Sequence, residues 1–272
     1  DSYGYLLLFL AVTAYVVMNG IEKGIEKVAK ILMPALFILM LILIVRGVTL
    51  PGGWKGVEFL FTPRWEDFNG SALFNAMGFC FFSLSLGAGT MITYGSYLNP
   101  KADLPSSVGW VAFLAIMAAI LGGLMVMPAV FAFNLDPGAG PGLTFATMPA
   151  VFGRMPFGDI FAVAFFLCLF VAALTSAISI LEMTSQHFVD RHGLKRRTSV
   201  LLVSTVLGLI GIVCALSFGP LSDVKLFGKT AFDLLDYVTS NIGMPIGCMG
   251  IAFVACFVSW KTTEAELSMN AS

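Results

Sequence analysis

The sequence predicts an all-α polytopic membrane protein, and three observations carry that prediction. Of 272 residues, 58% are apolar and only 11% charged, with a mean hydropathy of +0.92. A water-soluble domain of this size has nowhere to bury that much apolar surface. Apolar windows of about 20 residues, enough to cross a bilayer, recur along the whole chain, and between them lie polar or Gly/Pro-rich connectors. The formal net charge is -1 and no basic patch stands out, so no nucleic-acid partner is expected. The cysteines Cys80, Cys168, Cys214, Cys248 and Cys256 all sit in apolar runs without metal-ligand spacing. They read as small buried hydrophobes rather than as a transition-metal site.

Seven spans are expected, over 3–19, 29–49, 72–98, 107–133, 158–188, 198–218 and 231–260. The first is short, but its apolar residues run all the way round, which favours burial over an interfacial position. The odd-numbered connectors and the tail carry Lys23, Lys27, Lys30, Lys101, Arg191, Lys195, Arg196, Arg197 and Lys261. The even-numbered ones carry Arg46, Lys55, Arg64, Arg154, Lys225 and Lys229, spread over longer loops. The positive-inside rule makes the first set cytoplasmic. PGGWKGVEFLFTPRWEDFNGS and NLDPGAGPGLTFATMPAVFGRMPFGD are then long external loops, where function concentrates. The chain opens on Asp1 with an apolar run from Tyr5 and no basic stretch or small-residue cleavage site. A signal peptide is not expected, and upstream sequence is. Asn69-Gly70-Ser71 is formally a glycosylation sequon, but it abuts a span and is discounted.

The third span is the unusual one. Phe68 to Lys101 contains no charge between its ends, yet its centre reads Ser83-Leu84-Ser85-Leu86-Gly87-Ala88-Gly89. In hydrocarbon every backbone N–H and C=O needs a partner, so an opened helix survives only where it lines protein or a water-filled cavity. Each glycine weakens the helix by about 1 kcal/mol relative to alanine. The pair Gly87 and Gly89 fits either a break or close helix packing. The fifth span adds VAALTSAISI, in which Ala172, Thr175, Ser176 and Ser179 share one face. Such a stripe of oxygens suits a hard cation; equally, the hydroxyls can bond back to their own helix.

These motifs resemble the neurotransmitter:sodium symporters, in particular their bacterial amino-acid transporter branch. GIEKGIEKVAKILMPALFILMLILIVR is similar to the stretch bridging the family's fourth and fifth helices, and FLFTPRWEDF to the external loop before the sixth. FFSLSLGAGTMITYGSY resembles the unwound sixth helix, GPGLTFATMPAVF the external lid loop, and AALTSAISI the eighth helix. The resemblance implies a partial inverted-repeat fold: the last two helices of repeat one plus the five helices of repeat two, with a broken helix at 72–98. It implies one transmembrane domain over 1–272, incomplete at its N-terminus, with an external lid loop at about 134–157. The missing N-terminal helices of the same transporter and the lipid bilayer would be its partners.

The resemblance also implies site residues. The Ala172 carbonyl and the Thr175 and Ser176 hydroxyls match ligands of one sodium site, and Ser83 a ligand of the other. Phe82 matches the aromatic lid over the bound amino acid. Ser83, Ser85, Leu86, Gly87, Ala88 and Gly89 match the unwound segment facing the substrate, and Ser176, Ser179 and Ile180 line the pocket from the eighth helix. Asp236 matches the acidic half of the external gate, Asp190 that of the cytoplasmic gate, and Tyr97 its aromatic neighbour. Three positions depart from the pattern. Ala115 stands where an oxygen ligand usually helps the first sodium site, Phe79 where an external-gate glutamine is common, and Ala88 where many members carry bulk. The last enlarges the pocket for an apolar or aromatic side chain.

The function implied is sodium-coupled symport of a small hydrophobic or aromatic amino acid across the cell membrane, with Na+ as the co-transported ion and no enzymatic activity. Its alternatives are a proton-coupled or sodium-independent exchanger of the same fold, and a non-transporting fragment. Among the remaining residues, Glu182 is an intramembrane carboxylate and a functional candidate by default. It also fits a structural link between the third and fifth spans. Asp233 fits helix capping, His187 and His192 fit the surface, and Pro128 and Pro245 are expected to kink their helices.

Overall fold

The computed structural model describes residues 2–99, 101–135 and 143–268. Twelve α-helices are found among them: α1 Ser2–Met18, α2 Lys27–Val48, α3 Trp54–Phe61, α4 Gly70–Ser83, α5 Thr90–Gly95 and α6 Leu104–Ala132. They continue as α7 Met148–Phe152, α8 Gly158–His192, α9 Arg196–Leu216, α10 Ala231–Asp236, α11 Met244–Phe253 and α12 Trp260–Ser268. Wide π turns occupy Ile21–Glu26, Leu143–Thr147, Tyr237–Gly243 and Val254–Val258. No β-strand is formed among the described residues, only an isolated bridge between Leu226 and Lys229.

Five helical runs are long and apolar enough to cross a membrane: Gly24–Val48, Leu104–Ala132, Gly158–His192, Arg196–Leu216 and Ala231–Val258. Shorter apolar helices cover Tyr3–Met18 and Gly70–Ser83. The expected spans are thus all helical, and the third is split. In the last one, Pro245 lacks the N–H that would continue the α ladder, and the turn just ahead of it is wound wide. The sequence reading gave neither the π turns nor Pro34, a second proline inside a span beside the expected Pro128.

The contacts fall into two units. The first comprises 1–26, 69–112 and 176–272. Here α1 runs along α9, and glycines allow the approach: a Cβ on Gly208 would lie 3.2 Å from the Leu10 side chain, and one on Gly211 3.3 Å from Leu6. At its far end, Thr230 caps α10 by accepting from the Asp233 N–H while donating to the Asp233 carboxylate at 2.8 Å. Asp233 therefore belongs to a cap, as one of its two readings had it.

The second unit comprises 27–68 and 113–175. Its core gathers Met40 and Leu43 of α2, Met125 and Val130 of α6, and Phe165 and Cys168 of α8. Close backbone approach again depends on glycine, since a Cβ on Gly56 would sit 2.5 Å from the Met127 carbonyl. Two expectations about loops change here. The connector after α2 is not simply loop: residues 54–61 form α3, which touches α6 at Gly56 and Leu60. In the expected lid, residues 136–142 lie outside the described residues. The part that follows is helical and supplies Met148, Val151, Phe152 and Met155 to the buried core. Apolar residues at three- and four-residue spacing are enough to pull such a short segment inward.

Candidate functional site

The break in the third span is set by a helix stop one step earlier than the glycines suggest. α4 closes with Ser85 N–H donating to the Phe82 carbonyl at 3.0 Å and Leu86 N–H to the Phe81 carbonyl at 2.9 Å. Ser85 itself is left-handed, with φ of 53°. That pair of bonds around a left-handed residue is the Schellman stop, in which glycine is usual and serine is strained. Gly87 (φ 83°) and Gly89 (φ 87°) then keep the chain out of helix until Gly89 starts α5, its carbonyl accepting from Thr93 N–H at 3.0 Å. The stop's own bonds take up the last carbonyls of α4, and the chain from Leu84 to Gly89 runs outside α-helix.

The two glycines do different work. A Cβ on Gly87 would fall 2.0 Å from the Met244 carbonyl, and one on Gly247 would fall 2.2 Å from the Gly87 carbonyl. Gly87 is therefore pressed against α11, which is the close-packing reading that the sequence left open. Gly89 meets only the Met183 sulfur at 3.8 Å.

Two cavities flank the break within the first unit. One, of about 530 Å³, is lined from α4 by Phe74, Met77, Phe79 and Phe82, and from the last span by Asp236, Ser240, Asn241 and Pro245. Asp236 accepts from Ser240 Oγ at 3.1 Å. The expected lid Phe82 and the expected external-gate residue Asp236 thus line one cavity, and Phe79 lines it with them. The other cavity, of about 690 Å³, is lined by Ala88, Gly89, Ile92, Met183, His187 and Asp190 among others. It joins the far side of the break to the expected cytoplasmic-gate residue. His187 is exposed there, and its ring stands 6.4 Å from that of His192.

The α8 stripe is partly occupied by its own bonds. Thr175 Oγ1 donates to the Ala172 carbonyl at 2.9 Å and lies 3.2 Å from that of Val171. Two of the oxygens expected to meet sodium are therefore side by side, bonded to each other. Further along α8, Ser179 Oγ accepts from the Tyr94 hydroxyl at 2.8 Å, while Ser176 and Ile180 are exposed. Ser83, the last residue of α4, is exposed, and Leu86 is half-buried.

Tyr97 does not turn to Asp190. Its hydroxyl donates to Glu182 Oε1 at 2.9 Å, while Asp190 accepts from Gln186 Nε2 at 2.8 Å. Glu182 is fully buried, and its other oxygen pairs with the Arg196 guanidinium. Arg196 also donates from Nε to the Val17 carbonyl at 2.9 Å, so one cation ties α1, α8 and α9, and through Glu182 the end of the third span. The link between the third and fifth spans was legible in the sequence. Its cation was not, because Arg196 reads as one more basic residue of a cytoplasmic connector. The signal was the tight connection after α8, with Gly193 left-handed at φ 64°, which returns Arg196 to the level of Glu182. Tyr94, spaced three from Tyr97, was missed for a similar reason: its partner Ser179 is 85 residues away.

Apolar spanning helices, one of them opened by a left-handed stop between two cavities, define a membrane transporter fold with discontinuous helices. The sodium:neurotransmitter symporter family matches residues 4–268, and the chain belongs to that family. It is 40% identical over 261 residues to the uncharacterized sodium-dependent transporter YhdH of Bacillus subtilis (strain 168), covering 96% of this chain and 57% of that protein. It is 36% identical to an uncharacterized sodium-dependent transporter of Haemophilus influenzae, covering 97% of this chain and 58% of that protein. The crystal structure of MhsT in complex with L-phenylalanine superposes with a TM-score of 0.87 at 39% identity, covering 97% of this chain and 61% of that one. The chain thus spans somewhat more than half the length of these curated relatives.

Proposed function

We propose that this chain forms the greater part of a single transmembrane domain that carries a small hydrophobic or aromatic amino acid across the cell membrane together with sodium. The observation that carries this reading is the strained stop at Ser85, which interrupts the third span where Phe74, Phe79 and Phe82 of α4 wall a cavity. Strain of this kind persists where the surroundings over-determine it, and functional sites are where it collects. The relatives' sodium dependence and the L-phenylalanine in the MhsT complex favour the cation and the substrate class.

In this reading sodium sits at the Ala172 carbonyl, Thr175 and Ser176, with a second ion at Ser83. Arrival of the first ion displaces the Thr175 hydroxyl proton from the Ala172 carbonyl, and both oxygens then turn their lone pairs to the cation. Substrate lies along Ser85 to Gly89, under Phe82 and against Ser176, Ser179 and Ile180. Asp236 serves the external gate, Asp190 the cytoplasmic one with Tyr97 near it, and the segment at 134–157 acts as the lid. Coupling requires that sodium bind one conformation better than the other, since equal affinity shifts nothing. The test is uptake driven by a sodium gradient or by a pH gradient in the transporter that contains this chain. Thr175→Val with Ser176→Ala should abolish the sodium-stimulated part. Undiminished sodium-driven uptake in that variant removes the assignment, and uptake that follows only the pH gradient replaces it with the exchanger.

A further inference from the structure

Tyr94 has no part in the transport reading, yet its hydroxyl holds a residue of the proposed site. Ser179 lies three residues beyond Ser176 and four beyond Thr175, on the same face of α8 and about 6 Å further along its axis toward Asp190. It is the next side-chain oxygen along the stripe. Its Oγ accepts from the Tyr94 hydroxyl at 2.8 Å. Tyr94 stands near the end of α5, and helical side chains lean toward the N-terminus of their helix. Its hydroxyl therefore sits nearer the break than its own backbone does.

One turn beyond Ser179 the cavity of about 690 Å³ begins. Its α8 wall starts at Met183 and runs through His187 to Asp190, while Gly89, Thr93 and Ser96 of the third span form another side. Along α8 the Tyr94–Ser179 pair thus stands between the stripe and this cavity. The pair is also held in place. Tyr97, three residues after Tyr94, donates to Glu182, three residues after Ser179, so two tyrosines meet two acceptors in one register. Glu182 is fully buried and tied to Arg196, and the Tyr97 ring meets that of Tyr94 edge-on, with centroids 6.3 Å apart. At the start of α5, Thr90 adds a contact from its hydroxyl to the Met183 sulfur at 3.4 Å.

We propose that the Tyr94–Ser179 hydrogen bond is the inner barrier of the ion path: while it is made, sodium on the α8 stripe is shut off from the cavity at Asp190, and it parts when the ion leaves that way. This rests on the sodium reading above and deepens it, making Tyr94 a positioning residue of the same site. While the bond is made, the two hydroxyls satisfy each other, and an aromatic ring stands beside the stripe's last oxygen. A hard cation moves only where oxygens replace its water, and a hydroxyl committed to another is not available to it. Once the bond parts, the oxygens of Ser179 and Tyr94 turn lone pairs to the ion one turn beyond Ser176. A change of rotamer is enough to swing the phenol off Ser179 with the backbone in place. Tyr97 is unsuited to the same task, because its release would strip a partner from a buried carboxylate. Ser179 is a neutral hydroxyl, and letting it go costs far less.

The test uses the full-length transporter that contains this chain, reconstituted in vesicles. Two quantities are read: the sodium leak without substrate, and the sodium concentration that half-saturates uptake. Tyr94→Phe keeps the ring and removes the bond, and Ser179→Ala removes it from the other side. Each should raise both quantities about threefold, the usual worth of one hydrogen bond between helices in a membrane. The double variant should do no more than either single one, since all three lack the same bond. A bond that only supports the fold would lower the melting temperature and leave leak and half-saturation where they were, which overturns the inference. Additive effects in the double variant overturn it equally. If the unaltered transporter shows no sodium stimulation, the sodium reading falls and takes this inference with it. If sodium stimulates uptake and Tyr94→Phe changes neither quantity, the inference alone falls. Should Tyr94→Phe not fold, Ser179→Ala decides by the same two readouts.

Discussion

The two halves of α8 bury the same face with different chemistry. From Phe165 through Cys168, Val171 and Leu174, every fully buried position is apolar. Beyond residue 175 the same three- and four-residue spacing buries Ile178 and Leu181, and then Glu182 and Ser185. In water the first half would supply most of the stability. In a bilayer it does not, because lipid tails are as apolar as leucine, and protein burial gains only the packing difference. The polar half has no such alternative. Glu182 is stable inside only with Arg196 and Tyr97, so it specifies which elements meet.

Two matched truncations break or support this comparison, and they carry the largest effects. Glu182→Ala leaves the Arg196 guanidinium without its carboxylate and the Tyr97 hydroxyl without its acceptor. Removing one partner of a buried pair costs about 3 kcal/mol or more. Arg196 retains the Val17 carbonyl, and its side chain is 26% exposed, which keeps the loss near the lower end. Phe165→Ala removes a ring packed against Phe152 and Phe166. In lipid only the cavity part of its cost survives, about 2 kcal/mol. Unfolding of the two variants in detergent should place Glu182→Ala lower in stability. The opposite order would show that apolar packing, and not the ion pair, holds this helix.

Close backbone contact is a second source of specificity, and Gly247→Ala isolates it. The change adds only a methyl group, which by apolar bulk alone should be neutral. The new Cβ would fall 2.2 Å from the Gly87 carbonyl, so α11 must move off the break. Overpacking of this kind costs about 1–3 kcal/mol. Gly250→Ala on the same helix is the control: nothing lies within 4 Å, and alanine is the better helix former. A loss of thermal stability in the first variant and none in the second is the expected result. Equal behaviour of the two would mean that the Gly87–Gly247 approach is not tight in the folded protein.

How much of this was legible in the sequence follows the same division. Apolar windows and connectors gave the expected spans, because hydropathy and length are local quantities. The weak point of the third span was legible too, since two glycines beside two serines in one apolar run allow a break or close packing, and both occur: the helix opens, and Gly87 is pressed against α11. The residue that stops α4 was not. Gly87 and Gly89 drew attention as the helix breakers, but whether a serine turns left-handed depends on the bonds its neighbours make. Arg196 and Tyr94 were hidden for another reason, since their partners lie far away in sequence or across a turn whose geometry no hydropathy scale records. α3 fell below recognition because eight residues with a glycine among them carry too short a period to separate from loop.

Ser85 gives the smallest expected effect and the sharpest distinction. It is polar, it lies in mid-membrane, and φ of 53° strains it, so its presence cannot be explained by local stability. Ser85→Gly removes a hydroxyl and a Cβ while relieving the left-handed cost, and should raise stability by about 1 kcal/mol. The bonds from Ser85 and Leu86 to the end of α4 are backbone bonds and survive the change. If the serine is there to face a transported solute, the more stable variant will show weaker uptake, a gain in melting temperature paired with a loss of apparent affinity. A variant that is destabilised instead would mean that the hydroxyl holds the stop together, and that the strain at this position is structural rather than kept for function.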